Sequence, residues 1–97
     1  MPRPKRCRRI GKMPRINQFR PHPIIEEENE IILQIDEYET IRLIDYESLT
    51  QEECAEKMEV ARTTVQQIYN EARQKIAKSI VEGKTLIIKG GCYKLCK

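Results

Sequence analysis

The chain reads as a mainly α-helical fold: three helices, the last two joined by a tight turn, flanked by a basic extended arm and a short C-terminal β-strand. Three observations predict this class. Apolar residues recur at three- and four-residue spacing between Tyr38 and Ile80, and that stretch is divided by helix-start signals. Aromatic residues make up 5% of the 97 residues, with no Trp, so the interior must be built from Ile, Leu, Val, Ala and Met, which favours helices over a large sheet. All five prolines lie between Pro2 and Pro23, which leaves the rest of the chain free to form helix.

Residues 1–24 form the arm, where prolines set among Arg3, Lys5, Arg6, Arg8, Arg9, Lys12, Arg15 and Arg20 block helix and point to extended or irregular backbone. Residues 25–97 form one domain, the size that a single modest core supports, with its helical core at 50–75. The alternation of Ile31, Leu33 and Ile35 is a strand signal. Asp36 with Glu39 resembles a capping box and opens a first helix at about 36–47, where Tyr38, Ile41 and Ile44 or Asp45 share a face and Leu49 closes the segment. Thr50 with Glu53 is a clearer box, because the Thr hydroxyl can accept from the Glu53 amide while the Glu53 carboxylate returns to the Thr50 amide. It opens a second helix at about 51–58. A third runs from near Arg62 to about Glu82 on one apolar stripe, Val65, Ile68, Ala72, Ile76 and Ile80, and Gly83 is a natural C-terminal cap. Thr85–Lys89 is then a β-branched run, stopped by Gly90 and Gly91, able to pair with 31–35 or with the arm.

The net charge of +3 is unevenly spread. Residues 1–20 hold no acid, residues 21–59 hold most of the acids against Arg42 and Lys57 alone, and residues 60–97 are basic again, with Glu71 and Glu82 as their acids. Two positive ends around a negative middle suit a protein with one surface facing a polyanion. No apolar run is long enough to span a bilayer and no hydrophobic stretch follows the basic start, so a cytoplasmic protein without membrane contact is expected. The four cysteines, Cys7, Cys54, Cys92 and Cys96, are too irregularly spaced for a disulfide framework and suit a reducing compartment. An enzyme is not expected: the single histidine, His22, sits between prolines, there is no glycine-rich phosphate loop, and no Ser or Cys has an evident base partner.

The segment from Leu49 to Tyr69 carries the functional signal. Cys54, Ala55, Met58, Val60, Val65 and Ile68 fall where two helices joined by a tight turn bury a shared core, and Ala55 is small because a larger side chain at a steep crossing would hold the backbones apart. The opposite face of the third helix is Arg62, Thr63, Thr64, Gln66, Gln67, Asn70 and Arg73, with no acid before Glu71. Arg can grip guanine, Gln or Asn can grip adenine, and Thr can reach a base or a phosphate. This is the pattern of a helix-turn-helix that lays the N-terminal part of its second helix in the major groove, with Thr50 and Gln51 on the backbone. The expected function is sequence-selective binding of double-stranded DNA in transcription regulation, without a cofactor.

The opening Met-Pro-Arg-Pro-Lys-Arg-Cys-Arg-Arg, the Asp36–Asp45 helix, the 49–80 segment and the closing Glu-Gly-Lys-Thr-Leu-Ile-Ile-Lys-Gly-Gly resemble a small uncharacterised family of predicted DNA-binding proteins, over nearly the whole chain. The helix-turn-helix is similar to region 4 of bacterial sigma factors, which implies a role in transcription. Two positions depart from the pattern the resemblance implies: Glu59 stands where the turn normally holds Gly, and Ala61 where Ser or Thr caps the second helix. Some members carry a further domain resembling those that handle the iron–molybdenum cofactor of nitrogenase; no such segment follows Lys97, so that association is not expected here.

Arg3, Lys5, Arg6, Arg8 and Arg9 are candidates to enter the minor groove or to pair with phosphates beside the helix. A homodimer fits such a module, because one short reading head gives limited affinity and two-fold symmetry doubles its contacts. Two alternatives stay open. One is an adaptor whose helix-turn-helix and acidic 26–59 face bind another protein. The other is a zinc-stabilised module in which Cys7, His22, Cys92 and Cys96 form a Cys3His set. Cys54 is expected to act as a small buried hydrophobe.

Overall fold

A computed structural model of the chain describes residues 8–23 and 30–95. In chain order it contains β1 (Arg8–Ile10), β2 (Gln18–Phe19), β3 (Glu30–Leu33), α1 (Ile35–Ile41) continued by a π-helical turn (Arg42–Tyr46), α2 (Gln51–Met58), α3 (Arg62–Glu82), β4 (Thr85–Ile88) and β5 (Tyr93–Leu95). Helix dominates, but strand is more abundant than the C-terminal run and the 31–35 signal led one to expect, with β1, β2 and β5 added. β4 is the centre of a three-stranded sheet, antiparallel to β2 and parallel to β3, with Ile31 opposite Leu86 and Leu33 opposite Ile88. Both partners that the sequence offers β4 are therefore used at once. β1 pairs parallel with β5, Arg8 beside Tyr93 and Ile10 beside Leu95, so this part of the arm is joined to the end of the chain. The helices together form the long connection that two parallel strands require.

Two apolar clusters result. Ile10, Leu33, Ile35, Ala72, Leu86 and Ile88 join the sheet to α1 and α3, while Leu43, Cys54, Ala55, Met58 and Val65 join the π-helical turn, α2 and α3. The 21-residue α3 threads both, contributing Ala72 to one and Val65 to the other. It ends as expected at Gly83, whose left-handed conformation (φ 67°) lets the Lys84 N–H return to the Ser79 carbonyl at 2.9 Å.

The first helix corrects the sequence reading. Its cap is Gln34, whose N–H donates to Glu37 Oε1 at 2.8 Å, in place of the box expected between Asp36 and Glu39. Asp36, Glu37 and Glu39 are instead buried, at 5%, 3% and 2% exposure. Buried carboxylates need partners, and these have them. Glu39 accepts from Arg42 at 2.7 and 2.9 Å and from the Gly11 N–H at 2.7 Å. Glu37 pairs with Lys75 of α3 at 2.7 Å, and Asp36 lies 3.8 Å from Arg8 Nε. Pairing with Glu39 raises the Arg42 pKa further above its ordinary value. The acids of α1 thus pin the helix to the arm on one side and to α3 on the other.

Candidate nucleic-acid interface

Thr50 caps α2 as its sequence predicts: Thr50 Oγ1 accepts from the Glu53 N–H at 3.1 Å, and Glu53 Oε1 accepts from the Thr50 N–H at 3.0 Å. Those hydrogen bonds hold the Glu53 carboxyl below its usual pKa. α2 stops at Glu59, which adopts the left-handed conformation (φ 58°, ψ 44°). The Glu59 N–H then returns to the Glu56 carbonyl at 3.3 Å and the Val60 N–H to the Ala55 carbonyl at 3.1 Å, a pattern that closes a helix and turns the chain. Ala61 is extended and offers no side-chain cap, so α3 starts with its first amides unclaimed by a cap and with no acid in its first turn. Ala55 is buried against α3 through Val65, and Cys54 and Met58 are fully buried beside them. Burial, with the nearby Glu39 carboxylate, pushes the Cys54 thiol up to about 11.

On α3 the expected apolar stripe is turned in only as far as Ile76: Val65, Ile68 and Ala72 are buried and Ile76 is half-buried, but Ile80, expected on the same stripe, is exposed. Arg62, Thr63, Gln66, Gln67, Asn70 and Arg73 are exposed, and Thr64 is half-buried. Thr63, Gln66, Gln67 and Asn70 line one open concavity with Glu71 and Gln74. Gln74 is absent from the set the sequence singles out, although its spacing from Gln67 and Asn70 places it on the same face. Arg73 sits over the Tyr69 ring, 5.2 Å from its centroid, and the Tyr69 hydroxyl donates to Asp45 Oδ1 at 2.7 Å, which raises the Tyr69 pKa. At the start of α2, Thr50 is exposed and Gln51 half-buried.

Of the five arm cations, Arg3, Lys5 and Arg6 lie outside the described residues. Arg8 does not point outward: its side chain is only 16% exposed and faces Asp36. Arg9 reaches the turn before α3, where its guanidinium is 3.9 Å from Glu59, and Lys94 of β5 meets the same carboxylate at 3.1 Å. The arm therefore arrives beside the turn, held by charge pairs with the domain. Cys92 is disulfide-bonded, where the sequence reading expected four reduced thiols. His22 is exposed, and Cys7 and Cys96 lie outside the described residues. Among the described residues no group of three or more His, Cys, Asp or Glu is placed to hold a metal ion, and no helix is long and apolar enough to cross a membrane.

A family model described as a protein of unknown function, DUF134, matches residues 1–96. A UPF0251 protein of Desulfitobacterium hafniense strain Y51 is 56% identical over 97 residues, covering 99% of this chain and 78% of the relative. UPF0251 proteins of Halothermothrix orenii and Caldicellulosiruptor bescii are each 50% identical, covering 100% and 96% of this chain and 73% and 65% of their own lengths. No solved structure matches the chain.

Proposed function

The chain belongs to the DUF134 family, and we propose that it binds double-stranded DNA sequence-selectively as a transcription regulator, with α2 and α3 acting as a helix-turn-helix similar to that of sigma region 4. One observation carries this reading: the hydrogen-bonding face of α3, Thr63, Gln66, Gln67 and Asn70, is open to solvent while Val65 and Ala72 anchor the helix in two apolar clusters. A rigid rod with free amide and hydroxyl groups on its exposed side is what direct readout in the major groove requires. The acid-free, uncapped first turn favours an approaching phosphate, and Arg62 stands at that end. Thr50 and Gln51, at the start of α2, fall on the backbone side of such a docking.

Selection of bound duplexes from a random library should enrich one sequence, and binding should weaken as salt rises. Arg62→Ala or Gln66→Ala should cost about 1 to 3 kcal/mol against the selected duplex and much less against random DNA. No enrichment together with salt-independent binding would falsify the proposal; a tight protein partner under those conditions would favour an adaptor.

A further inference from the structure

Resting on that reading, we propose that the groove between α1 and the C-terminal half of α3 takes a second copy of this chain, α3 against α3 antiparallel, so that one duplex meets two reading faces. The groove measures about 680 Å³; Ile41, Arg73, Ile76, Ala77 and Ile80 line it with Asp45 on its rim, and Asn70 and Gln74 form the edge it shares with the reading face. Ile80 is 75% exposed there, while Ala77 is small enough to let two helix axes approach. Each copy's Ile80 would seat against Ile41 and Ile76 of the other.

Three arguments select a second copy. The first is angular. At ~100° per residue, Arg73, Ile76 and Ile80 point about 70 to 130° away from the mean direction of Thr63, Gln66, Gln67 and Asn70, with Ala77 between the two faces. A two-fold axis parallel to the reading direction therefore joins the groove faces and turns both reading faces to the same side. The second is spacing. Crossing between Ala77 and Ile80 sets the two Gln66–Gln67 pairs roughly 32–40 Å apart at ~1.5 Å per residue, a range that includes the ~34–36 Å separating half-sites one turn of duplex apart. The third is charge. A two-fold interface must complement itself, and this rim carries one acid, Asp45, and one base, Arg73. The face is about 15 Å long and two helices wide, smaller than the ~800 Å² per partner of a standard interface, so the dimer in solution is weak and is tightened by DNA.

Sedimentation of the full chain without DNA, at about 100 µM, tests the dimer separately from DNA binding. A monomer–dimer equilibrium is expected, with Ile80→Asp monomeric at unchanged helical content and Tm. Ala77→Cys should oxidise to a cross-linked dimer, and Lys78→Cys, on another face of α3, should not. Selected duplexes should carry two half-sites about 10 bp apart, and Ile80→Asp should weaken binding to them by roughly 100-fold while leaving single half-site affinity unchanged. A wild-type chain that stays monomeric, or an Ile80→Asp variant that still dimerises, overturns the inference whatever DNA does. A dimer that binds no duplex instead overturns the DNA reading.

Discussion

Glu59 is the sharpest conflict between residue and backbone, and replacing it separates strain from charge. A side chain in the left-handed region costs about 1 to 2 kcal/mol, and Glu59 sits there at φ 58°. Its carboxylate meets Lys94 at 3.1 Å and Arg9 at 3.9 Å, with the three side chains 43–60% exposed. Pairs so exposed contribute about 0 to 1 kcal/mol and weaken in salt. Glu59→Ala removes the charges and keeps the Cβ, whereas Glu59→Gly removes both. Their difference is the relieved strain less about 0.4 to 1 kcal/mol of added chain entropy in the unfolded state, which leaves roughly 0.5 to 1 kcal/mol. For a domain of this size that is a Tm higher by about 2 to 8 °C for Gly than for Ala. Far-UV circular dichroism melts at low and high salt measure it, and Glu59→Gly should also exceed wild type at high salt, where the pairs are screened. Should Gly melt no higher than Ala at either salt, the turn does not hold a left-handed residue at this position.

Four further outcomes follow from particular contacts. Glu39→Ala leaves the largely buried Arg42 guanidinium without its closest partner and the Gly11 N–H without its acceptor, so it should destabilise by about 3 kcal/mol or more in a denaturant melt; a loss under ~1 kcal/mol would show that the pair is not buried. Thr50→Ala should cost about 1 kcal/mol through the lost cap. Because the folded Glu53 pKa lies below the ordinary 4.5, that carboxylate stabilises the fold above the ordinary value and loses its contribution as pH falls through the depressed one. The Tm gap between wild type and Glu53→Gln should therefore close at acid pH, and a gap constant with pH contradicts the capping box. Cys54, fully buried and with its thiol pushed up to about 11, should resist maleimide at neutral pH until the chain unfolds, as read by mass spectrometry; rapid labelling of native protein would place it at the surface.

α2, α3 and their turn were legible because their determinants are local. Thr50 and Glu53 close a box within one helical turn, Gly83 ends α3 within the next residue, and the stripe Val65, Ile68, Ala72 is a period that a short window reveals. Glu59 and Ala61 stood out only against the pattern that the resemblance implies. The position of α1 was legible too, since the expected 36–47 falls on Ile35–Ile41 and the turn to Tyr46, but its buried acids were not, because what decides them comes largely from far along the chain. Glu39 meets Gly11 across 28 positions and Glu37 meets Lys75 across 38. Read alone, Asp36, Glu37 and Glu39 look like a solvated face, and only the arrival of Arg42, Lys75 and the Gly11 amide makes their burial tolerable. The expected Asp36–Glu39 box failed on this account, since both carboxylates are turned inward to partners that the helix itself mostly does not supply.

That difference bears on the face of α3 proposed to read DNA. Its side chains were found from spacing alone, whereas its rigidity depends on contacts that spacing does not encode. α3 is held at one end by Val65 in the cluster with α2 and further along by Ala72 and the Lys75–Glu37 pair. The pair at Lys75 lies between the reading residues and Ile80, the residue proposed to meet a second copy. A variant that breaks it while preserving the fold, such as Lys75→Met, leaves each reading face intact but frees the angle at which α1, with Ile41, packs beside α3 to form the groove. Affinity for a duplex with two half-sites should then fall while affinity for one half-site stays, since only the former requires both heads to be held in register. Equal losses on the two duplexes would mean that Lys75 supports α3 as a whole and has no part in setting that angle.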